Sequence, residues 1–440
     1  MNVKPNVTPA PRGLGPPGAA KTSAALRILY LLILLAGLAI MLPLGAITYA
    51  VLSGPLCHAG ARAEALRKLG SLELASFQRP TVASAQNAEL RFIQAGNAVS
   101  LDPETSRLLV DLLRRDDAGE ILRHRRRLAA TLERNRPAIL LADSARRLPG
   151  CNAGIDYRQL EPKLPSFLGQ VHLSRVLFVQ GLLALDAGDL RTVLEAIDIL
   201  GRQATCLEQE PLAFFMLLGS SFERRQLRLI AHVVHDRRCP KELAARIPDL
   251  LGTVDLRRAY RTDLHRTAAE IEAFFVRETS KHREWSERFA QHLIEDHAYG
   301  GGLRCFVREL EGFDLPFARV TEELGPPRGR WQQLHWMLCN TDWDMGAVLR
   351  ATNDGRDMAR LAVSLRLAML SGETCRAAWQ TVEARSKRDA GHAFLPRLVV
   401  ARTGSCKLIH PEAAAYKIDL ADSGHPILVW PLDQPVPIGP

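Results

Sequence analysis

GQVHLSRVLFVQGLLALDAGDLRTVLEAIDILGRQATC, residues 169–206, is the stretch whose reading decides the fold. Two apolar runs meet at Asp186-Ala187-Gly188-Asp189, a turn of helix-stopping and helix-starting residues. The second run sets Leu190, Val193, Leu194, Ile197 and Leu200 three and four apart, which is one face of a helix. In the first run Gly181, Ala184, Ala187 and Gly188 place small residues where helices cross closely. A third helix is predicted from EQEPLAFFMLLGSSFERRQLRLIAHVV, residues 208–234. Length, short turn and alternation predict a helical-hairpin array like that of tetratricopeptide proteins, without a strict 34-residue repeat.

Toward the N-terminus, ILYLLILLAGLAIMLPLGAITYAVL occupies residues 28–52 with no charged residue. As a helix it is roughly 37 Å long, enough to cross about 30 Å of hydrocarbon with some tilt. A lone backbone in hydrocarbon satisfies its polar groups only as a helix, and membrane helices tolerate a proline such as Pro43. Tyr30 and Tyr49 fall near the two interfaces. The core is too long for a cleaved signal peptide. Gly54-Pro55-Leu56 before Cys57 departs from a lipoprotein signal. The preceding tail carries Lys4, Arg12, Lys21 and Arg27 and no acid, which predicts a cytoplasmic N-terminus, an inner-membrane span and a periplasmic bulk.

The expected organisation has five parts: a disordered basic tail (1–27), a transmembrane helix (28–52), a membrane-proximal stalk with a first helix (53–100), a helical array (101–390), and a short-strand, proline-rich end (391–440). In the stalk, AGARAEALRKLGSLELASF (59–77) predicts a helix that loosens at Gln78-Arg79-Pro80. Asp102-Pro103-Glu104 predicts a helix start, with Asp as N-cap and Pro in the first turn. One helix is expected over 116–135, others over 240–250, 255–277, 281–297, 303–312, 315–324, 330–338, 343–351, 355–370 and 373–387. RLVVA (397–401), AYKID (415–419) and ILVW (427–430) predict short strands. The fold class is therefore mostly α: one transmembrane helix, an irregular helical-hairpin array and a few C-terminal strands.

Cys57, Cys151, Cys206, Cys239, Cys305, Cys339, Cys375 and Cys406 all follow the apolar segment. Their even number fits an oxidising compartment and makes all eight candidate disulfide cysteines. No CxxC or CxxxC spacing points to zinc, iron–sulfur or haem.

Three clusters invite a chemical reading. His232, His235 and Cys239 share one helical face, as metal ligands would, but the pattern is not HExxH, and histidines at a helix C-terminus are favoured by the dipole alone. His282, Glu284, Glu287, His292, Glu295, Asp296 and His297 supply paired carboxylates, which act as acid and base only where burial shifts one of them. WQQLHWMLCNTDWD (331–344) holds half of the chain's six tryptophans. Trp331, His335, Trp336 and Trp343 form the candidate interaction face, because aromatic anchors dominate protein interfaces. The basic run at 123–127 reads as a solvated face among acids. Gly300-Gly301-Gly302 has neither the lysine nor the strand–loop–helix context of a nucleotide site, and GxSxG is absent. No catalytic residue, metal or cofactor is assigned.

Net charge is +9, four of it in the tail, with both signs mixed beyond. That suits an ordinary surface or one facing anionic lipid, not nucleic acid. Residues 170–235 closely, and 100–430 loosely, resemble a family of uncharacterised membrane-anchored helical proteins from planctomycete-like environmental bacteria. There a hairpin of the kind LLALDAGD…EAIDIL precedes a helix opening with a Glu-Pro-Leu element, here Glu210-Pro211-Leu212. The resemblance implies a helical body followed by short strands, though the Tyr-Pro segment common there is missing here. It carries no catalytic residues. The function expected is an extracytoplasmic scaffold or accessory subunit whose partners are the lipid bilayer and a membrane or envelope protein. An envelope glycan or peptide hydrolase, and a solute-binding or sensory module, are the alternatives.

Overall fold

A computed structural model describes residues 24–115, 118–236, 238–279, 299–300, 303–304, 341–388, 396–400, 406–411 and 429–432. The chain divides into two compact units, one of residues 1–57 with 283–297 and one of residues 58–282 with 298–440. Helix α1 is Ala24–Leu69 and contains the whole apolar segment read from the sequence. Within the first unit, Met41, Leu42, Leu44, Tyr49, Leu52 and Leu56 are exposed. Large apolar side chains in such a row are suited to hydrocarbon surroundings.

The second unit is an irregular helical array closed by a small sheet. Its elements are α2 (Ala88–Asn97), α3 (Pro103–Arg115), α4 (Ala118–Arg123), α5 (Arg125–Arg134), α6 (Arg136–Arg146), α7 (Leu168–Ala187), α8 (Leu190–Glu208), α9 (Ala213–His235), α10 (Lys241–Arg246), α11 (Leu256–Thr279), α12 (Thr341–Leu370) and α13 (Cys375–Arg388). Strands β1 (Arg397–Val400), β2 (Cys406–Ile409) and β3 (Val429–Leu432) pair antiparallel in that order.

The central hairpin α7–α8 forms as its sequence dictates. Gly188 has φ 74°, a left-handed conformation that a side chain would oppose, and its N–H closes α7 on Leu185 O. Asp189 then caps α8, accepting from Thr192 N at 3.1 Å and from the Thr192 hydroxyl at 2.7 Å. Asp102 does the same for α3, accepting from Thr105 N at 2.7 Å. By length and composition α7 also passes for a membrane-crossing helix, yet 61% of that stretch is buried. It is the core helix of the array, packed against α2, α8 and α9.

Four local expectations change. The stretch 116–135 is two helices, α4 and α5, separated at His124. The helices expected over 343–351 and 355–370 are one continuous helix, α12, in which Thr352, Asp354 and Arg356 are buried against the array and Thr352 Oγ1 donates to Val348 O. The stalk holds an unforeseen helix, α2, started by Asn87, whose side chain accepts from Glu89 N and Leu90 N. Strand β2 is likewise unforeseen; it buries Cys406 and Leu408 and aligns Leu408 with Trp430 of β3. The expected strand at 415–419 and the expected helices between 281 and 297 and between 305 and 338 lie outside the described residues.

Helices α2 and α7 cross backbone to backbone. A Cβ on Gly96 would lie 2.6 Å from Gln170 N, and one on Gly169 would lie 2.6 Å from the Gly96 carbonyl carbon. One large apolar cluster runs from Phe92 and Ala95 of α2 through Leu173, Leu177, Ile197, Leu200 and Ile230 to Trp379 and Trp430. A second gathers Ala61 and Ala65 of α1 with Phe77, Tyr157, Phe167, Phe215 and Phe222. Each fully buried Phe or Leu contributes about 1.5–3 kcal/mol relative to exposure. Disulfides Cys151–Cys206 and Cys375–Cys406 pin the loop after α6 to α8, and β2 to α13. Cys57 and Cys239 are free; Cys305 and Cys339 lie outside the described residues.

Candidate functional site

Helices α5, α6, α7 and α8 surround an open groove of about 560 Å³. Its floor is apolar, from Leu132, Ile139, Leu183, Ala184 and Ile199, with Leu140 standing exposed beside it. Its rim is charged and paired. Arg125 meets Asp186 at 3.0 Å, Arg147 meets Asp143 at 2.5 Å, and Arg191 meets Glu195 at 3.0 Å. Arg146 bridges Asp143 and Asp198, tying α6 to α8. Exposed pairs of this kind add at most about 1 kcal/mol each to stability. What they do instead is present both signs around an apolar floor, the chemistry that an amphipathic helix laid in a groove requires. The basic run belongs to this region: Arg127 pairs with Glu104 at 2.8 Å, and Arg125 is on the rim, so the run is a solvated face among acids.

A second group of polar residues is sealed in the core. Arg356 of α12 donates through Nη2 to Glu208 Oε2 at 2.7 Å and to Glu223 Oε2 at 2.6 Å, and through Nε to Glu223 Oε1. Its Nη1 donates to Val254 O. These three side chains are 0–3% exposed. Two carboxyls facing one guanidinium leave a negative charge in the interior. Burial raises the Glu208 pKa well above the usual carboxylate range against the pull of Arg356, which favours its protonated form.

Glu89 is also sealed. Burial raises it to about 7, while Gln170 donates to its Oε1 at 2.8 Å and opposes that shift. Gln170 in turn accepts from Gln203 at 3.1 Å. Glu210, from the Glu-Pro-Leu element, accepts from Arg79 at 2.5 Å, Ala153 N at 3.0 Å and Tyr157 OH at 2.6 Å. General acid–base catalysis needs a group within hydrogen-bond reach of substrate. These carboxyls instead face other side chains and backbone, and they hold α2, α7, α8, α9 and α12 together.

The residues singled out in the sequence fare differently. His232 and His235 end α9, His232 packs against Phe178 with ring centroids 6.3 Å apart, and Cys239 is buried with its Sγ 3.6 Å from Pro240 O. Among the described residues no group of three or more His, Cys, Asp or Glu is placed to hold a metal. Trp343 is in α12. Trp331, His335 and Trp336, and the polar cluster at 282–297, lie outside the described residues. The groove itself was not singled out. Its lining comes from four helices, and each helix alone reads as an ordinary amphipathic one.

No family model matches the chain, and no curated protein or solved structure matches it. What defines it is its own architecture: a mostly α-helical protein with an apolar membrane-length helix, an irregular helical array and short C-terminal antiparallel strands.

Proposed function

We propose that this chain is a membrane-anchored scaffold or accessory subunit. Residues 28–52 span the inner membrane, the tail is cytoplasmic, and the helical unit stands in the periplasm and docks a membrane or envelope protein. The groove between α5 and α8 carries this reading, with its apolar floor, its rim of both signs, and a volume that admits the side chains of a partner helix. Two disulfides support an oxidising compartment. The acid-free basic tail supports the orientation. The resemblance over 170–235 points the same way, to anchored helical proteins.

The test uses the full chain in its native membrane, with a photo-crosslinking benzoylphenylalanine placed at position 140. A discrete protein adduct is expected, abolished by Leu183→Glu on the groove floor in protein that melts as the parent does. Absence of any protein adduct at 140, with the chain folded, would overturn the docking reading.

A further inference from the structure

The α6 wall of the groove is backed by a sealed carboxyl. Along α6, Ile139, Leu140, Asp143 and Arg147 line the groove, whereas Ala138, Ala142 and Ala145 are buried on the inner side. Helix α2 packs against both α6 and α7. The chain leaving α2 is also bolted to the start of α6. Asn135, fully buried, accepts from Ser100 N at 2.7 Å and donates to Ser100 O at 3.1 Å. A movement of α2 therefore reaches the groove through its wall.

Glu89 lies on the seat of α2 and is 0% exposed. Its Oε1 accepts from Gln170 of α7 at 2.8 Å, and its Oε2 has no hydrogen-bond partner. Behind Gln170 stands Gln203 of α8, donating to it at 3.1 Å. Helices α7 and α8 thus meet Glu89 with amides, and α6 turns alanines inward. The α6 charges Asp143 and Arg146 bind each other, and Arg146 also binds Asp198. Two charged groups act on Glu89 through space, Glu210 after α8 and Arg79 before α2, and these pair with each other at 2.5 Å. An ionised Glu89 is therefore an uncompensated charge in the interior, which costs far more than an unpartnered neutral hydroxyl. Local opening that brings the carboxyl to water removes that cost, so α2 sits firmly only while the proton is held.

We propose that the proton on Glu89 latches α2 onto α7 and thereby holds the α6 wall of the groove in place. With the proton held, the groove keeps its shape and its partner. With the proton lost, α2 and α6 loosen together and the partner is released, while α8 and α9 keep their fold. This rests on the reading that the groove docks a partner helix, and it adds the regulation of that site: docking in mildly acidic surroundings, release in alkaline ones.

The experiment measures backbone hydrogen exchange of the full chain in lipid nanodiscs at pH 5 and pH 8, beside Glu89→Gln, which is neutral at both. Amides of α2 and α6 in the parent are expected to lose protection relative to the variant by about 70-fold between the two pH values, the change set by a carboxyl raised from 4.5 to about 7. Those of α8 and α9 should stay protected. In native membranes, the adduct from benzoylphenylalanine at 140 is expected to fall at pH 8 in the parent and to hold in Glu89→Gln. Equal protection of parent and variant at both pH values would overturn the proposal. So would loss in α2 without α6, because the wall would not follow the latch, and loss spread evenly through α8 and α9, which is global unfolding. An adduct unchanged by pH while α2 and α6 open would overturn it as well. Switching exchange with no adduct at 140 at either pH would instead remove the docking reading and leave the latch. Where Glu89→Gln fails to fold, Glu89→Met, similar in size and never charged, serves as the reference.

Discussion

Arg356 and Glu208, 148 residues apart in sequence, meet at 2.7 Å with side chains 3% and 0% exposed. Their contact joins α12 to the end of α8, and Glu223 brings α9 to the same guanidinium. Removing one member of a buried charged group leaves the others unpaired in the interior, at a cost of about 3–5 kcal/mol. Arg356→Met is expected to destabilise the helical unit by about that amount in denaturant melts of the detergent-solubilised chain. Glu208→Gln is expected to cost less than about 1.5 kcal/mol, because a protonated glutamic acid and a glutamine are both neutral and similar in shape. Equal losses for the two variants would show that Glu208 is ionised.

Glu89 gives a pH dependence with a definite sign. Its pKa rises from an ordinary 4.5 to about 7 on folding. Below pH 4.5 both the folded and unfolded chains hold the proton, and nothing changes with pH. Between 4.5 and 7 the folded chain holds a proton that the unfolded chain has lost, so stability falls as pH rises. Above 7 the loss is complete, of order 3 kcal/mol. His410 acts oppositely. Burial lowers it to about 4, so between about 4 and 6.5 its contribution rises with pH. The measurement is therefore the difference between Glu89→Gln and the parent across pH 4–8. The variant is expected to gain on the parent through this window and to be the more stable protein at pH 8. A flat difference would show that Glu89 is ordinary.

How much of this was legible in the sequence depends on how locally each feature is determined. The turn at 186–189 was legible because Gly188 and Asp189 act on the peptide groups beside them. Asp102 was legible for the same reason. Helix α2 was not. AELRFIQAGN is short and carries a glycine near its end, and it is held by packing on α6 and α7 that no local pattern announces. The buried carboxyls were not legible either. A glutamate on a helix reads as solvated, and nothing in α8 or α9 reveals that Arg356 arrives from α12 to meet Glu208 and Glu223. The groove is a product of four helices and appears only once they are packed.

The crossing of α2 over α7 predicts intolerance at two glycines for a steric reason. Gly96→Ala or Gly169→Ala places a methyl within 2.6 Å of backbone atoms on the opposite helix. Backbone cannot rotate away as a side chain does, so the helices must separate. Each substitution is expected to cost about 1–3 kcal/mol, the range for overpacking. Because both relieve the same contact, the double variant should cost less than the sum of the singles. Strict additivity in a double-mutant cycle would show that the two positions do not share one crossing.

The disulfides make the compartment testable on the chain itself. Cys151–Cys206 closes a separation of 55 residues and Cys375–Cys406 one of 31. Chain entropy assigns each about 4 kcal/mol, so a thiol reductant should lower the melting temperature substantially. Protein taken from native membranes under an alkylating agent is expected to protect these four thiols until reduced. The two free thiols among the described residues should differ from each other. Burial raises Cys239 to about 11 and keeps it as unreactive thiol, whereas Cys57 is partly exposed. Alkylation is therefore expected at Cys57 in the folded chain and at Cys239 only after unfolding. If Cys151, Cys206, Cys375 and Cys406 were all alkylated without reduction, the helical unit would be in a reducing compartment. The charge-based orientation would then have to be reversed, because the same helix cannot place that unit on both sides.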